Sequence, residues 1–363
     1  MLSNAVAQQK GDTTEAPGKI YISATGQFGF LWSHRYNMGH LVKKHLGAFE
    51  ITAWKPTCGD QCWHEPYNNP QTGLAFNYIP LGNPDQLGDA YGLYPFINYP
   101  LSSREKNPRL NLRLGWGIGW ITKPFDPIEN HKNIAIGTHV NTCFALKLNT
   151  LYKVNKLMYL ESGIGITHFS NGAFRLPNLG INLPMVNLGL HWLIHEKKNS
   201  GPVVADERMQ HTESLVNDRK WHFSALFVAG ANDINPPGGN KFAVTNMITY
   251  MMKQTARKHR FGGGIDLMYS QALRHILLYD SVNVSVAGNL QPGVKFCYEL
   301  VMGRLSYPME MGVYLYSRYK ENGPVYNRWG LRYLATDHLL LNLSLKTHFA
   351  KAEYWEVGAG WRF

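Results

Sequence analysis

The sequence predicts an all-β fold, an antiparallel transmembrane β-barrel of about 14 to 16 strands, with an eight-stranded barrel plus a second β unit as the alternative. Three observations carry this expectation. Apolar and polar residues alternate through about sixteen runs of roughly ten to fifteen residues, the period of strands with one face on each side of a wall. Charged residues make up only 17% of the 363 positions against roughly 25% in soluble domains, while aromatics reach 13%, which excludes an intrinsically disordered chain. No stretch approaches the ~18 consecutive apolar residues of a transmembrane helix, and mean hydropathy is slightly negative, which excludes a helical membrane protein but not a barrel that hides its apolar face by alternation.

In chain order the alternating runs lie near 19–33, 44–55, 71–80, 89–100, 108–121, 135–151, 155–168, 183–196, 219–231, 240–254, 258–270, 285–298, 302–317, 324–335, 338–349 and 352–363. Turn-forming clusters separate them, among them Asn68-Asn69-Pro70, Gly82-Asn83-Pro84 and the run from Asn235 to Gly239. The only long polar stretch, 197–218, reads as a loop or linker between a first half, 19–196, and a second, 219–363. Before residue 19, Ala5-Val6-Ala7 resembles the small-residue end of a secretory signal whose earlier part is missing, so 1–18 is read as a signal remnant and irregular N-terminus. The last run places Trp355, Val357, Ala359, Trp361 and Phe363 on a lipid-type face, with Tyr354, Glu356 and Arg362 on a lumen-type face. Ending on an aromatic, it resembles the C-terminal strand that outer-membrane barrels present to the barrel assembly machinery.

Composition limits the partners. A formal charge of +11 points to an anionic one, either nucleic acid, an acidic substrate or a phosphate-bearing lipid. The Lys and Arg are scattered and form no helix-turn-helix, zinc-finger or RNP pattern, so nucleic acid is the weakest of the three. Four cysteines exclude a disulfide-dense scaffold; Cys58 and Cys62 are close enough in sequence for a small bridge, and Cys143 and Cys297 read as packing residues. No metal-ligand set is evident and no cofactor is expected, so chelation should leave any turnover intact. Gly262-Gly263-Gly264 lacks the Lys-Ser/Thr of a phosphate loop.

The stretch Leu160 to Pro184, LESGIGITHFSNGAFRLPNLGINLP, carries the chemistry. Met158, Leu160, Ile164 and Ile166 share one face of a strand, and His168 and Ser170 continue it; Tyr159, Glu161 and Thr167 take the other. Barrels of this type begin and end in the periplasm, so this seventh run points outward and leaves His168 and Ser170 at the outer-leaflet interface. Asn182 has the parity of the next run's lipid face and approaches His168 across the hairpin. A hydroxyl, an imidazole and an amide on one patch are the elements of nucleophilic ester hydrolysis, with the Asn171 side chain or the Gly172 and Ala173 amides as candidate oxyanion donors. On spacing alone, the alternative is an interfacial His and Ser among headgroups above an ordinary turn.

The segment resembles the PagL family of outer-membrane lipid A 3-O-deacylases, whose motif is His-x-Ser-Asn, a Pro-Asn-x-Gly loop and a third catalytic residue. Here these read His168-Phe169-Ser170-Asn171, then Pro177-Asn178-Leu179-Gly180, then Asn182. The second half resembles longer acyloxyacyl hydrolase-like proteins of Gram-negative bacteria and adds no second signature. The resemblance implies an outer-membrane esterase acting on lipid A, with Ser170 as nucleophile, His168 as base and Asn171, Gly172 and Asn178 around the oxyanion. It also implies a departure: the family's usual glutamate is replaced by Asn182, which can orient an imidazole but cannot stabilise its charge, and exchanging the acid of a serine triad costs ~10⁴ in rate. Glu161 points into the lumen and does not substitute. The rival reading is a non-enzymatic barrel, a passive channel or structural protein with a degenerate site. Lys346, His348, Glu356, Arg332 and Arg362 have lumen parity and read as a polar interior. Gly263 to Ser270 echoes Gly163 to Ser170, but with Met268 in the histidine's place.

Overall fold

The computed structural model describes residues 18–103, 105–196, 218–279, 289–318, 322–349 and 351–363. The readings of the N-terminal signal remnant and of the polar stretch after 196 therefore fall almost wholly outside the described residues. Eight strands, β1 (Lys19–Gly29), β2 (Leu46–Pro56), β3 (Gln71–Pro80), β4 (Asp89–Pro100), β5 (Arg109–Ile121), β6 (Val140–Lys153), β7 (Met158–Ser170) and β8 (Ile181–Glu196), form one closed antiparallel barrel. Eight more, β9 (Trp221–Asn232), β10 (Phe242–Ala256), β11 (His259–Ser270), β12 (Leu290–Met302), β13 (Leu305–Tyr314), β14 (Val325–Leu334), β15 (Leu339–His348) and β16 (Lys351–Arg362), form a second.

Of the two arrangements the sequence allows, it is the barrel plus a second β unit that forms, and the second unit is itself a barrel. The strand count is as expected, but the single large barrel is corrected by its closures: β8 pairs with β1, Leu190 opposite Ala24, and β16 pairs with β9, Ala359 opposite Phe227. The lumen side chains supply the physical reason. An eight-stranded barrel is just wide enough for side chains to fill. In the first barrel Arg113 on β5 reaches Glu50 on β2 at 2.9 Å and Glu161 on β7 at 3.3 Å, while Lys147 on β6 reaches Glu50 at 2.6 Å. In the second, Arg328 on β14 reaches Asp266 on β11 at 2.8 Å and Glu356 on β16 at 2.6 Å, and Lys295 on β12 reaches Glu310 on β13 at 2.7 Å. Pairs such as Arg113–Glu50 and Arg328–Asp266, on strands three places apart, meet only across a narrow interior; a wall of twice the circumference would separate them and leave these buried charges without those partners, at high cost.

Parity holds along the strands. Glu161 faces the first lumen, and Lys346, His348, Glu356, Arg332 and Arg362 are buried in the second. Val357 and Trp361 on β16 are exposed on its outer wall. Among the described residues no helix is long and apolar enough to cross a membrane. Three further details complete the fold. Cys58 is a free thiol whose Sγ donates to Asp60 Oδ1 at 3.5 Å, so the small bridge is not formed. The echo in β11 is on the opposite face from its model: Met268 is buried in the lumen where His168 points outward. A short helix absent from the strand reading, α1 (Gln271–Tyr279), follows β11 and tucks in Leu273 and Leu277.

The upper rim is the end at which β1 finishes and the lower rim the opposite end. The loops 30–45, 122–139 and 171–180 then stand on the upper rim of the first barrel, and 233–241 and α1 on the upper rim of the second.

Candidate functional site

Register assembles the site. On the outer wall of the first barrel, Trp116 lies opposite Phe144, Phe144 opposite His168, and His168 opposite Asn182, a single cross-strand row over β5 to β8. One row higher, Thr142 lies opposite Ser170. Side chains two apart on a strand share a face, so His168 and Ser170 point outward together at the upper end of β7.

His168 Nδ1 lies 2.7 Å from Asn182 Oδ1. A carbonyl oxygen only accepts, so this nitrogen carries the proton and Nε2 keeps its lone pair. The Asn182 amide then donates from Nδ2 to His34 Nδ1 at 3.0 Å, extending the chain to a loop residue of the first hairpin. His34 is a member that sequence reasoning missed; it stands 134 positions before His168 with no motif around it.

Ser170 is nearly buried at 8% exposure. Its Oγ accepts from Asn178 Nδ2 at 3.0 Å and from the Gly172 N–H at 3.1 Å. The same Asn178 takes the Asn171 N–H on its Oδ1 at 3.0 Å, so one side chain ties the loop 171–180 across its own base. Gly172 and Ala173 both have positive φ, 64° and 63°, the sharp left-handed turn that aims the Gly172 N–H back at the serine. The structure thus brings Ser170, Gly172 and Asn178 together and, separately, His168, Asn182 and His34. No hydrogen bond between Ser170 and His168 is found among the described contacts. The side chain of Asn171 is engaged elsewhere: Nδ2 donates to Thr138 Oγ1 at 3.1 Å and to the Arg175 carbonyl at 2.8 Å. It shapes the loop, and the convergent donors at Ser170 are Asn178 and Gly172.

The second barrel reaches this loop. Asp233, after β9, donates its N–H to the Ala173 carbonyl at 3.1 Å and accepts the Leu176 N–H on Oδ2 at 3.1 Å. Lys241 pairs with the Asp233 carboxylate at 3.4 Å, donates to the Phe174 carbonyl and lies 4.9 Å from the Phe174 ring centre. Burial lowers the pKa of this ammonium from its ordinary value, with Asp233 pulling the other way. Trp355 of β16 stacks on Trp116 with ring centres 5.7 Å apart and covers Gly172, where a Cβ would fall 2.2 Å from its Nε1. None of these contacts has a local sequence signal, because each joins parts of the chain that only closure of two barrels brings together. Among the described residues no cluster of His, Cys, Asp or Glu is arranged to hold a metal.

Comparison with known proteins follows the same division. Residues 49–191 match the family model described as lipid A 3-O-deacylase (PagL), and residues 220–363 match the one described as the C-terminal domain of acyloxyacyl hydrolase. No curated protein matches the chain. Among solved structures, the crystal structure of the outer membrane enzyme PagL is 12% identical, over 46% of this chain and 97% of that one, with a TM-score of 0.30. A triple mutant of the Rhodopseudomonas blastica porin is 9% identical, over 95% of this chain and 100% of that one, with a TM-score of 0.20.

Proposed function

Since the chain belongs to the PagL-type lipid A 3-O-deacylase and acyloxyacyl hydrolase family of the Gram-negative outer membrane, we propose that it removes an ester-linked acyl chain from lipid A by serine chemistry at Ser170. The observation that carries this reading is the position of the polar row. His168, Asn182 and Ser170 form a polar row at the upper end of the outer wall, facing away from the lumen. With the upper rim at the cell surface, they meet the leaflet that holds lipopolysaccharide.

In this mechanism the Ser170 hydroxyl turns from Asn178 toward His168 when an ester carbonyl arrives. Hydrogen bonds between catalytic groups are often absent from an unliganded site and form with substrate. Nε2 of His168 takes the hydroxyl proton as Oγ bonds to the carbonyl carbon. Asn182, fixed by His34, holds the ring and its tautomer. The Gly172 N–H and the Asn178 amide, which rest on Ser170 Oγ, turn to the neighbouring carbonyl oxygen as it becomes the oxyanion and stabilise it. Collapse breaks the ester C–O bond; the sugar hydroxyl leaves with the proton from His168. Water, deprotonated by the same imidazole, then releases the fatty acid from Ser170. No charged group supports the imidazolium, so turnover is slow, as suits an enzyme embedded in its substrate. The Lys and Arg excess helps hold lipid A phosphates at the rim, and activity falls with ionic strength.

The passive-channel reading fares worse, because ion pairs such as Arg113–Glu50 and Arg328–Glu356 fill both lumens. The test is mass spectrometry of lipid A from vesicles incubated with the protein. Wild type removes one hydroxyacyl mass and Ser170→Ala removes none; equal, intact lipid A with both would end the proposal.

A further inference from the structure

A large cavity lies between the two barrels and reaches the upper mouth of the second. About 2040 Å³ is bounded by the outer wall of the first barrel, including Leu114, Trp116 and Phe144, by that of the second, including Leu331, Leu345 and Trp355, and at the top by the mouth of the second lumen, including Tyr314 and His348. His168 and Ser170 stand on its edge. The barrels touch at both rims and part in the middle. Above the cavity are the Asp233 contacts to the 171–180 loop. Below it, Tyr99 Oη meets Met302 Sδ at 3.6 Å, Arg257 meets Glu65 at 2.9 Å, and Lys258 lies over the Tyr67 ring at 5.4 Å.

We propose that this space is the acyl-chain site of the hydrolase, holding several hydrocarbon chains of one substrate lipid with the scissile ester at Ser170. The inference rests on the function proposed above and adds the second barrel to the substrate site. Three arguments carry it. A space of this size with apolar walls, formed from surfaces that face the bilayer, takes up hydrocarbon rather than water. Its volume exceeds the roughly 300–1,000 Å³ of sites for small ligands, which fits a multi-chain amphiphile better than a single chain. Its charged side chains, Arg35, Asp233, Lys351 and Glu353, gather toward the upper rim, and the lower rim is bridged, so an amphiphile has one orientation, headgroup up and chains down. That orientation sets the headgroup-proximal ester level with Ser170. It also explains why the second barrel carries no catalytic signature: its part is to wall the chains in.

The test is photo-crosslinking in the full chain, with p-benzoylphenylalanine replacing Leu331 in the cavity or, as control, Met247 on the exposed wall of β10. Vesicles contain lipid A and phosphatidylethanolamine in equal parts, and adducts are identified by mass. The expected result is lipid A enriched over phospholipid at position 331 by about tenfold relative to position 247. Adducts in the bulk ratio at both positions, or phospholipid enrichment at 331, would overturn the substrate assignment; absence of lipid adducts at 331 with adducts at 247 would overturn lipid occupancy altogether. Crosslinking does not need turnover. Enrichment at 331 with no acyl release by wild type would therefore sink the esterase reading while leaving the cavity as a lipid A site, and turnover without enrichment would do the reverse.

Discussion

Asp233 lies on the second barrel, touches no reacting atom in the proposed mechanism, and should nevertheless govern its rate. Its carboxylate is wholly buried and accepts the Leu176 N–H at 3.1 Å, in the loop whose Asn178 holds Ser170. A hydrogen bond to a charged group is worth about 1.5–3 kcal/mol, and Asp233→Ala removes it while leaving the Leu176 N–H without its partner. The backbone bond from the Asp233 N–H to the Ala173 carbonyl survives the substitution, so the loop loosens without detaching. If that energy is what holds the donors on Ser170, kcat should fall by about ten- to a hundredfold. Asp233→Asn keeps an oxygen for Leu176 and gives up only the charge that pairs with Lys241, so it should stay within about threefold of wild type. The assay is acyl release from lipid A in mixed micelles, with kcat and KM separated. A wild-type rate for Asp233→Ala, or equal losses for the two variants, would refute the idea that the second barrel positions the serine loop.

Other outcomes follow from the same contacts. Gly172→Ala should impair acyl release, since its φ of 64° disfavours a side chain and the new Cβ meets Trp355, and Trp355→Ala in the same chain should recover part of the loss; no recovery would mean that backbone strain alone is at work. Asn182→Glu should raise kcat, with the ~10⁴ that separates acid from amide in a serine triad as the ceiling, whereas a loss in the same assay would show that the amide link to His34 is the required one. Arg328→Met leaves Glu356 without its cation and takes one of their cations from Asp266 and Glu310, and should destabilise the second barrel by about 3–5 kcal/mol, read as a lower urea midpoint in micelles. Planar bilayers containing the wild-type protein should show no steady conductance, because the lumens are filled.

Much of this was legible in the chain. Period-two alternation located the strands and their outward faces, since a β-wall between two different media forces that pattern whatever its closure. The same parity put His168 and Ser170 on the outer wall and Glu161 inside, and the hairpin joining β7 to β8 put Asn182 opposite His168, because register in a hairpin is a local matter. Alternation is silent on circumference, however. Whether β8 turns back to β1 or runs on into β9 depends on charges such as Glu50 and Arg113, which lie 63 positions apart and meet only across a closed lumen. The expectation for the Asn171 side chain failed for a similar reason, as its partner Thr138 comes from another loop.

What the sequence alone determined, then, is the wall and the motif: strand positions, their two faces, and the hydroxyl, imidazole and amide where β7 and β8 meet at the upper end of their hairpin. Tertiary structure decided the rest. It set the closure into two barrels, the support of Asn182 by His34, the grip of Asp233 and Trp355 on the serine loop, and the cavity between the walls. Each of these depends on residues distant in sequence meeting in space, and a one-dimensional pattern of polarity records which side a residue faces but not what it will find there.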